Sequence, residues 1–118
     1  MFDVEYYETA NGKCPTAEFF DDLNKETELP NVMRLLDMLK EEGYLLPRPH
    51  AAYLRNGIYE LRIRTIHRHI RLLYFFYHQE AIMVSHGLIK KTNKVPDYEI
   101  DKAISNKKDF EVRQKRLK

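Results

Sequence analysis

Ile58-Tyr59-Glu60-Leu61-Arg62-Ile63-Arg64-Thr65, then Arg68-His69-Ile70-Arg71-Leu72-Leu73-Tyr74-Phe75-Phe76-Tyr77, decide the fold. Both runs are rich in β-branched and aromatic side chains, and the first alternates strictly between two faces. A third β-rich segment, Ala81 to Leu88, follows closely. Short connections between the three predict an antiparallel meander. Working outward, Phe2 to Tyr7 alternates apolar and acidic residues and reads as a further half-buried strand. Asn11-Gly12-Lys13-Cys14-Pro15 is a turn into a helix with Pro15 near its first position, where a missing N–H does no harm. That helix directs Phe19, Phe20 and Leu23 inward. A second helix begins near Pro30, carries Val32, Leu35, Leu36 and Leu39 at helical spacing, and ends at Gly43. After the loop Leu46-Pro47-Arg48-Pro49-His50 and the meander, Ile100, Ala103 and Ile104 mark a helix from about Pro96, which becomes mostly charged toward Lys118. The order strand, two helices, three strands, helix defines an α+β domain with helices beside an antiparallel sheet.

A chain of 118 residues, 43% apolar, buries one core, so residues 1–118 are expected to form a single domain. No window approaches the roughly 18 consecutive apolar residues of a membrane span, and the first residues lack a secretory pattern, so a cytoplasmic, non-membrane protein is expected. The lone Cys14 has no partner for a disulfide or a thiol-based metal site. The net charge of +2 conceals an asymmetry: residues 1–50 hold 5 basic against 11 acidic side chains, and residues 51–118 hold 15 against 7. A basic half of this kind favours a polyanionic partner, although a solvated basic surface is an equal alternative on composition alone.

Alternation puts Glu60, Arg62 and Arg64 on one strand face and Tyr59, Leu61 and Ile63 on the other. Two guanidinium groups projecting from one rigid strand make a preformed anion clamp. Arg71 is the natural third member, because Arg68 shares its face with Ile70, Leu72, Tyr74 and Phe76. The plainer alternative is pairing with neighbours such as Glu60, worth about 0–1 kcal/mol each on a wet surface. Arginine does not exchange protons near neutral pH, so chemistry at such a clamp needs another group. His86, Lys90 and Lys91, at the end of the third meander strand, are the candidates. The competing reading of His86 is a strand-end histidine with both ring nitrogens bonded. His67-x-His69 has few carboxylates nearby and no cysteine pair or HExxH, so no metal site is expected. Gly-rich phosphate loops and nucleophile elbows are absent from the sequence.

Gly57-Ile58-Tyr59-Glu60-Leu61-Arg62, Arg71-Leu72-Leu73-Tyr74-Phe75, and His86-Gly87-Leu88-Ile89-Lys90-Lys91-Thr92 before Pro96-Asp97-Tyr98-Glu99-Ile100 and Ala103 together resemble the HigB-type, phage-derived branch of the RelE and ParE toxin superfamily. The similarity covers nearly the whole chain in element order and is most specific from about residue 53 to 104. It implies a RelE-like domain acting as the toxin of a type II toxin–antitoxin module. The implied reaction is metal-independent, cofactor-free endoribonuclease cleavage of mRNA on the ribosome, with the 2′-hydroxyl attacking the adjacent phosphate. By the same resemblance Arg62, Arg64, Arg71, His86, Lys90 and Lys91 are catalytic candidates, and Arg68, Lys94 and Tyr98 are RNA-binding candidates. The implied partner is a helix-turn-helix antitoxin in a heterodimer or heterotetramer. The superfamily also includes ParE-like poisons of DNA gyrase, and a non-catalytic RNA- or protein-binding domain is a third class. Two departures stand out. The stretch Asp109 to Lys118 holds neither the Tyr nor the His that many RelE-type enzymes carry there, leaving Tyr98 or His86 to substitute. Val95 occupies the position before Pro96 where Ser or Thr would cap the last helix.

Overall fold

The computed structural model describes residues 1–116. Strand β1 (Asp3–Tyr6) precedes helices α1 (Pro15–Asp21) and α2 (Leu29–Glu42). Four strands then follow, β2 (Ala51–Arg55), β3 (Ile58–Arg64), β4 (His69–His78) and β5 (Ala81–Lys90), and the helix α3 (Asp97–Arg116) is the last element among the described residues. The result is a compact RelE-like α+β fold. None of the helices described is long and apolar enough to cross a membrane.

Two features correct the expected three-stranded meander and wholly antiparallel sheet. Ala51–Arg55 is a fourth meander strand, paired antiparallel with β3 through Ala52↔Glu60 and Tyr53↔Tyr59. Its Ala-Ala start is a poor strand former, so local composition conceals it. The turn does not: Asn56 and Gly57 have φ of 52° and 82°, the left-handed pair that closes a two-residue hairpin. The strand order is β1-β5-β4-β3-β2, and β1 joins at the far edge parallel to β5, with Val4 opposite Ile82. The long connection through both helices carries the chain across the sheet and permits that direction.

Both faces of the sheet are covered, which explains why Leu72, Leu73, Tyr74 and Phe75 run without a polar interruption, each no more than 1% exposed. On one face α2 sets Val32, Leu35, Leu36 and Leu39 against Leu61, Ile63, Ile70, Leu72 and Tyr74, joined by Phe19 and Phe20 of α1 and by Leu23, which follows the end of α1. On the other, α3 sets Ile100 and Ala103 against Ile58, Leu73, Phe75 and Leu88. Each of the larger side chains so buried contributes about 1.5–3 kcal/mol before entropic costs. α2 carries Pro30 in its first turn and stops at Gly43, whose φ of 51° suits a residue without a side chain. α3 begins without a Ser or Thr cap; Val95, 3% exposed and packed in the α3-side cluster, anchors its start instead. α1 lies close over β5 because Gly87 has no Cβ; one placed there would overlap the Phe19 ring.

Candidate functional site

Strand register organises the charged residues into ranks on the α3 side of the sheet. Arg62 stands opposite Arg71, and Arg71 opposite Leu88. The next rank is Arg64, His69 and Lys90, and the rank before is Glu60, Leu73 and His86. His50 extends the arginine rank at the sheet edge, because its carbonyl accepts the Arg62 N–H at 2.7 Å. α3 covers Leu73 and Leu88 and leaves the arginine end open. There, where β2 stops and β3 becomes the edge, a cavity of about 360 Å³ is lined by Arg62, Arg64, Arg71, His50, His69 and, from α2, Arg34.

Glu60 is the fixed point of this cluster. It is 5% exposed, and its Oε1 accepts from Arg71 Nε at 2.8 Å and Arg62 Nε at 3.2 Å. A carboxylate so deeply placed needs a cation, and Arg71, itself 6% exposed, supplies one. Arg71 Nη1 also donates to the Ile70 carbonyl at 3.0 Å. Its Nη2 has no protein partner among the described residues. Burial pulls the Arg71 guanidinium below the ordinary arginine value while Glu60 opposes that shift, and the group remains a cation. Arg64 is exposed and forms no ion pair among the described residues. Burial and the positive charge of Arg71 lower Lys90 from the ordinary lysine value, Glu60 working the other way. Glu60 thus pairs with Arg62 and Arg71 alone among the described residues, while Arg64 and Lys90 stand in the neighbouring rank, so four cations face one carboxylate and the imbalance is available to an anion.

The other sequence candidates separate from this cavity. His86 is 2% exposed and belongs to a chain of hydrogen bonds created by a β-bulge at Ser85, which puts both side chains on the α3 side. Asn106 Nδ2 donates to Ser85 Oγ at 3.0 Å, Ser85 Oγ lies 2.8 Å from His86 Nδ1, and His86 Nε2 lies 3.0 Å from Glu99 Oε1. The bonds are mutually consistent when Nε2 carries the proton and Ser85 donates to Nδ1. Burial and Lys102 push the His86 imidazole below its ordinary value against the pull of Glu99, which favours that neutral form. Both ring nitrogens are thereby engaged.

Arg68 points to the opposite face, where its Nε donates to Glu28 Oε2 at 2.6 Å and ties the β3–β4 turn to the start of α2. Arg68, Lys91 and the 71% exposed Tyr98 line a shallower depression of about 570 Å³ around the end of β5, which Phe19 also borders. Lys94 is exposed nearby in sequence. His67 and His69 gather no third potential metal ligand among the described residues.

Sequence reasoning overlooked Arg34, His50 and His69 as members of the site. His50 was hidden with β2, whose Asn56-Gly57 turn was the available signal. Nothing local marks Arg34, which reaches the cavity only because α2 docks across the sheet edge.

Taken together, a RelE-like sheet, helices on both faces and a cationic cavity at one sheet edge define a small α+β domain of RelE-like fold. Residues 18–108 match the family described as "Phage derived protein Gp49-like (DUF891)", and the chain belongs to that RelE/toxin-like family. No curated protein matches the chain.

Proposed function

We propose that this protein is a HigB-type toxin of a type II toxin–antitoxin module, acting in the cytoplasm as a metal-independent endoribonuclease on mRNA held by the ribosome. The observation that carries this reading is the cavity lined by Arg62, Arg64 and Arg71, the first and last of them held by the buried Glu60 carboxylate. Cleavage proceeds by attack of a 2′-hydroxyl oxygen on the adjacent phosphorus and departure of the 5′-oxygen. Negative charge accumulates on the phosphoryl oxygens as the new bond forms, and fixed cations at those oxygens lower the barrier. Each such ligand contributes roughly 3–4 kcal/mol by comparison with other preorganised sites. Glu60 aims Arg71 and Arg62 in advance, so no reorganisation is needed as the charge develops. Lys90 extends the positive field along β5. Lys91, Arg68 and Tyr98, with the exposed Lys94 close by in the chain, offer a second surface that fits RNA flanking the cut, with phosphates on the cations and a base against the exposed tyrosine ring. His86 holds β5 against α3 and so sets the position of Lys90. A helix-turn-helix antitoxin is the expected partner.

The test is inducible expression in a bacterial host, with mRNA 5′ ends mapped with and without an inhibitor that empties ribosomes of message. Discrete cuts within translated codons that vanish with the inhibitor are expected. The Arg64→Ala variant, which removes an exposed cation with no ion pair to lose, should keep its fold and lose cleavage. Growth arrest with intact mRNA and induced DNA-damage signalling would replace the nuclease by a gyrase poison of the ParE kind.

A further inference from the structure

The cationic cavity stabilises charge but its arginines cannot carry protons, and a phosphodiester exchange by this route must move two: one leaves the 2′-hydroxyl and one reaches the departing 5′-oxygen. We propose that His50 and His69 are the proton-transfer pair of the cavity, an assignment that rests on the nuclease reading above.

Three observations single these residues out. Of the five histidines, only His50 and His69 line the cavity; His86 is sealed beneath α3, His78 lies at the other end of β4, and His67 sits outside the lining in the β3–β4 turn, on the side of Glu28. The two flank the arginines from different sides. His50 precedes β2 and is bonded through its carbonyl to Arg62, whereas His69 opens β4 directly opposite Arg64. A phosphate held between Arg62, Arg64 and Arg71 therefore has an imidazole on the β2 side and another on the β4 side. Finally, neither imidazole makes a hydrogen bond or ion pair among the described residues, in contrast to His86, whose nitrogens are both engaged. His50 is half-buried and His69 exposed, so water reaches both. The charged side chains facing them are Arg62 and Arg64 from β3, Arg71 from β4, and Arg34 from α2, with Lys90 on β5 opposite His69.

In the forward step a neutral imidazole takes the 2′-hydroxyl proton as the 2′-oxygen bonds to phosphorus. The opposite imidazole, protonated, delivers its proton to the 5′-oxygen as the phosphorus–oxygen bond breaks. The products are a 2′,3′-cyclic phosphate and a 5′-hydroxyl, with no net proton change. Each imidazole ends in the other's starting form, and solvent resets the pair.

The experiment is single-turnover cleavage of a ribosome-bound message by the full chain and by His50→Gln and His69→Gln. The message carries either an ordinary linkage or a 5′-bridging sulfur at the mapped cut. Sulfur leaves without a proton, so the variant lacking the acid recovers on that message and the variant lacking the base does not. We expect each variant to be slower by roughly 100- to 10,000-fold on the ordinary linkage. One of the two should be rescued by sulfur to within about tenfold of wild type. Melting temperature, and binding of a message with a 2′-deoxy nucleotide at the cut, should be unchanged for both. Wild-type cleavage with both variants within threefold of it would overturn the pair while leaving the nuclease standing. Slow variants with neither, or both, rescued would likewise overturn the division of roles. A wild-type chain that cuts no ribosome-bound message would overturn the nuclease reading and the pair with it.

Discussion

Arg71→Ala separates the structural and chemical duties of the central arginine. The substitution removes the 2.8 Å partner of Glu60, a carboxylate 5% exposed, and leaves only Arg62 at 3.2 Å. Breaking one side of a buried pair costs about 3–5 kcal/mol. Because Arg62 retains part of the pairing, the lower figure applies, and for a chain of this size it lowers the Tm by roughly 10 °C. Domains of this kind hold about 5–15 kcal/mol in total, so the variant still folds at 25 °C. Adding Glu60→Gln removes the stranded charge, and the double variant should recover about 1–2 kcal/mol of that loss. Urea unfolding of wild type, both single variants and the double variant closes the cycle. Cleavage measured on the same samples should be lost in Arg71→Ala and should not return in the double variant. Additive losses would refute the Glu60–Arg71 coupling. A fully active Arg71→Ala protein would refute the placement of a phosphate at this site.

Gly87→Ala pushes a methyl group into the Phe19 ring and should cost about 1–3 kcal/mol, seen as a lower Tm; an unchanged melting curve would mean that α1 does not sit closely on β5. His86 lies below its ordinary value of 6.5 in the folded chain, so unfolding takes up a proton at that site as the medium is acidified. Its contribution to stability is complete above pH of about 6.5 and is lost as pH falls through the lower folded value. The urea midpoint of wild type should therefore drop over this range, and His86→Gln should lack that part of the drop. Tyr98→Ala, at a 71% exposed position, should leave the Tm unchanged while raising the KM for ribosome-bound message, and an unaltered KM would remove Tyr98 from the RNA surface.

The charge cluster is also instructive in what it spends on order. An arginine held on a buried glutamate is an anion ligand that has already lost its rotational freedom, and Arg62 shares that restraint at 3.2 Å. Arg64 is the converse, exposed and unpaired among the described residues. One cavity therefore combines a rigid ligand, a partly restrained ligand and an adaptable ligand, which suits a substrate whose geometry changes along the reaction.

By itself the sequence determined whatever depends on local pattern. Alternation in Ile58 to Arg64 separates Leu61 and Ile63 from Arg62 and Arg64, because successive strand side chains must point to opposite faces. The 3.6-residue spacing of Val32, Leu35, Leu36 and Leu39 fixes the buried stripe of α2 in the same way. Arg71 was legible as the partner of Arg62 once a short hairpin was granted. Tertiary structure alone decided what depends on distant segments meeting. β1 pairs with β5 in parallel across about two thirds of the chain, a choice no residue in Asp3–Tyr6 encodes locally. His86 and Lys90 leave one strand four residues apart, yet α3 seals the first in a hydrogen-bonded chain and leaves the second beside the arginines. Arg34 and His50 enter the cavity from α2 and from the start of β2, brought there by the burial of apolar side chains that are not themselves part of the site. Periodicity specifies which way a side chain faces, and only packing specifies what it faces.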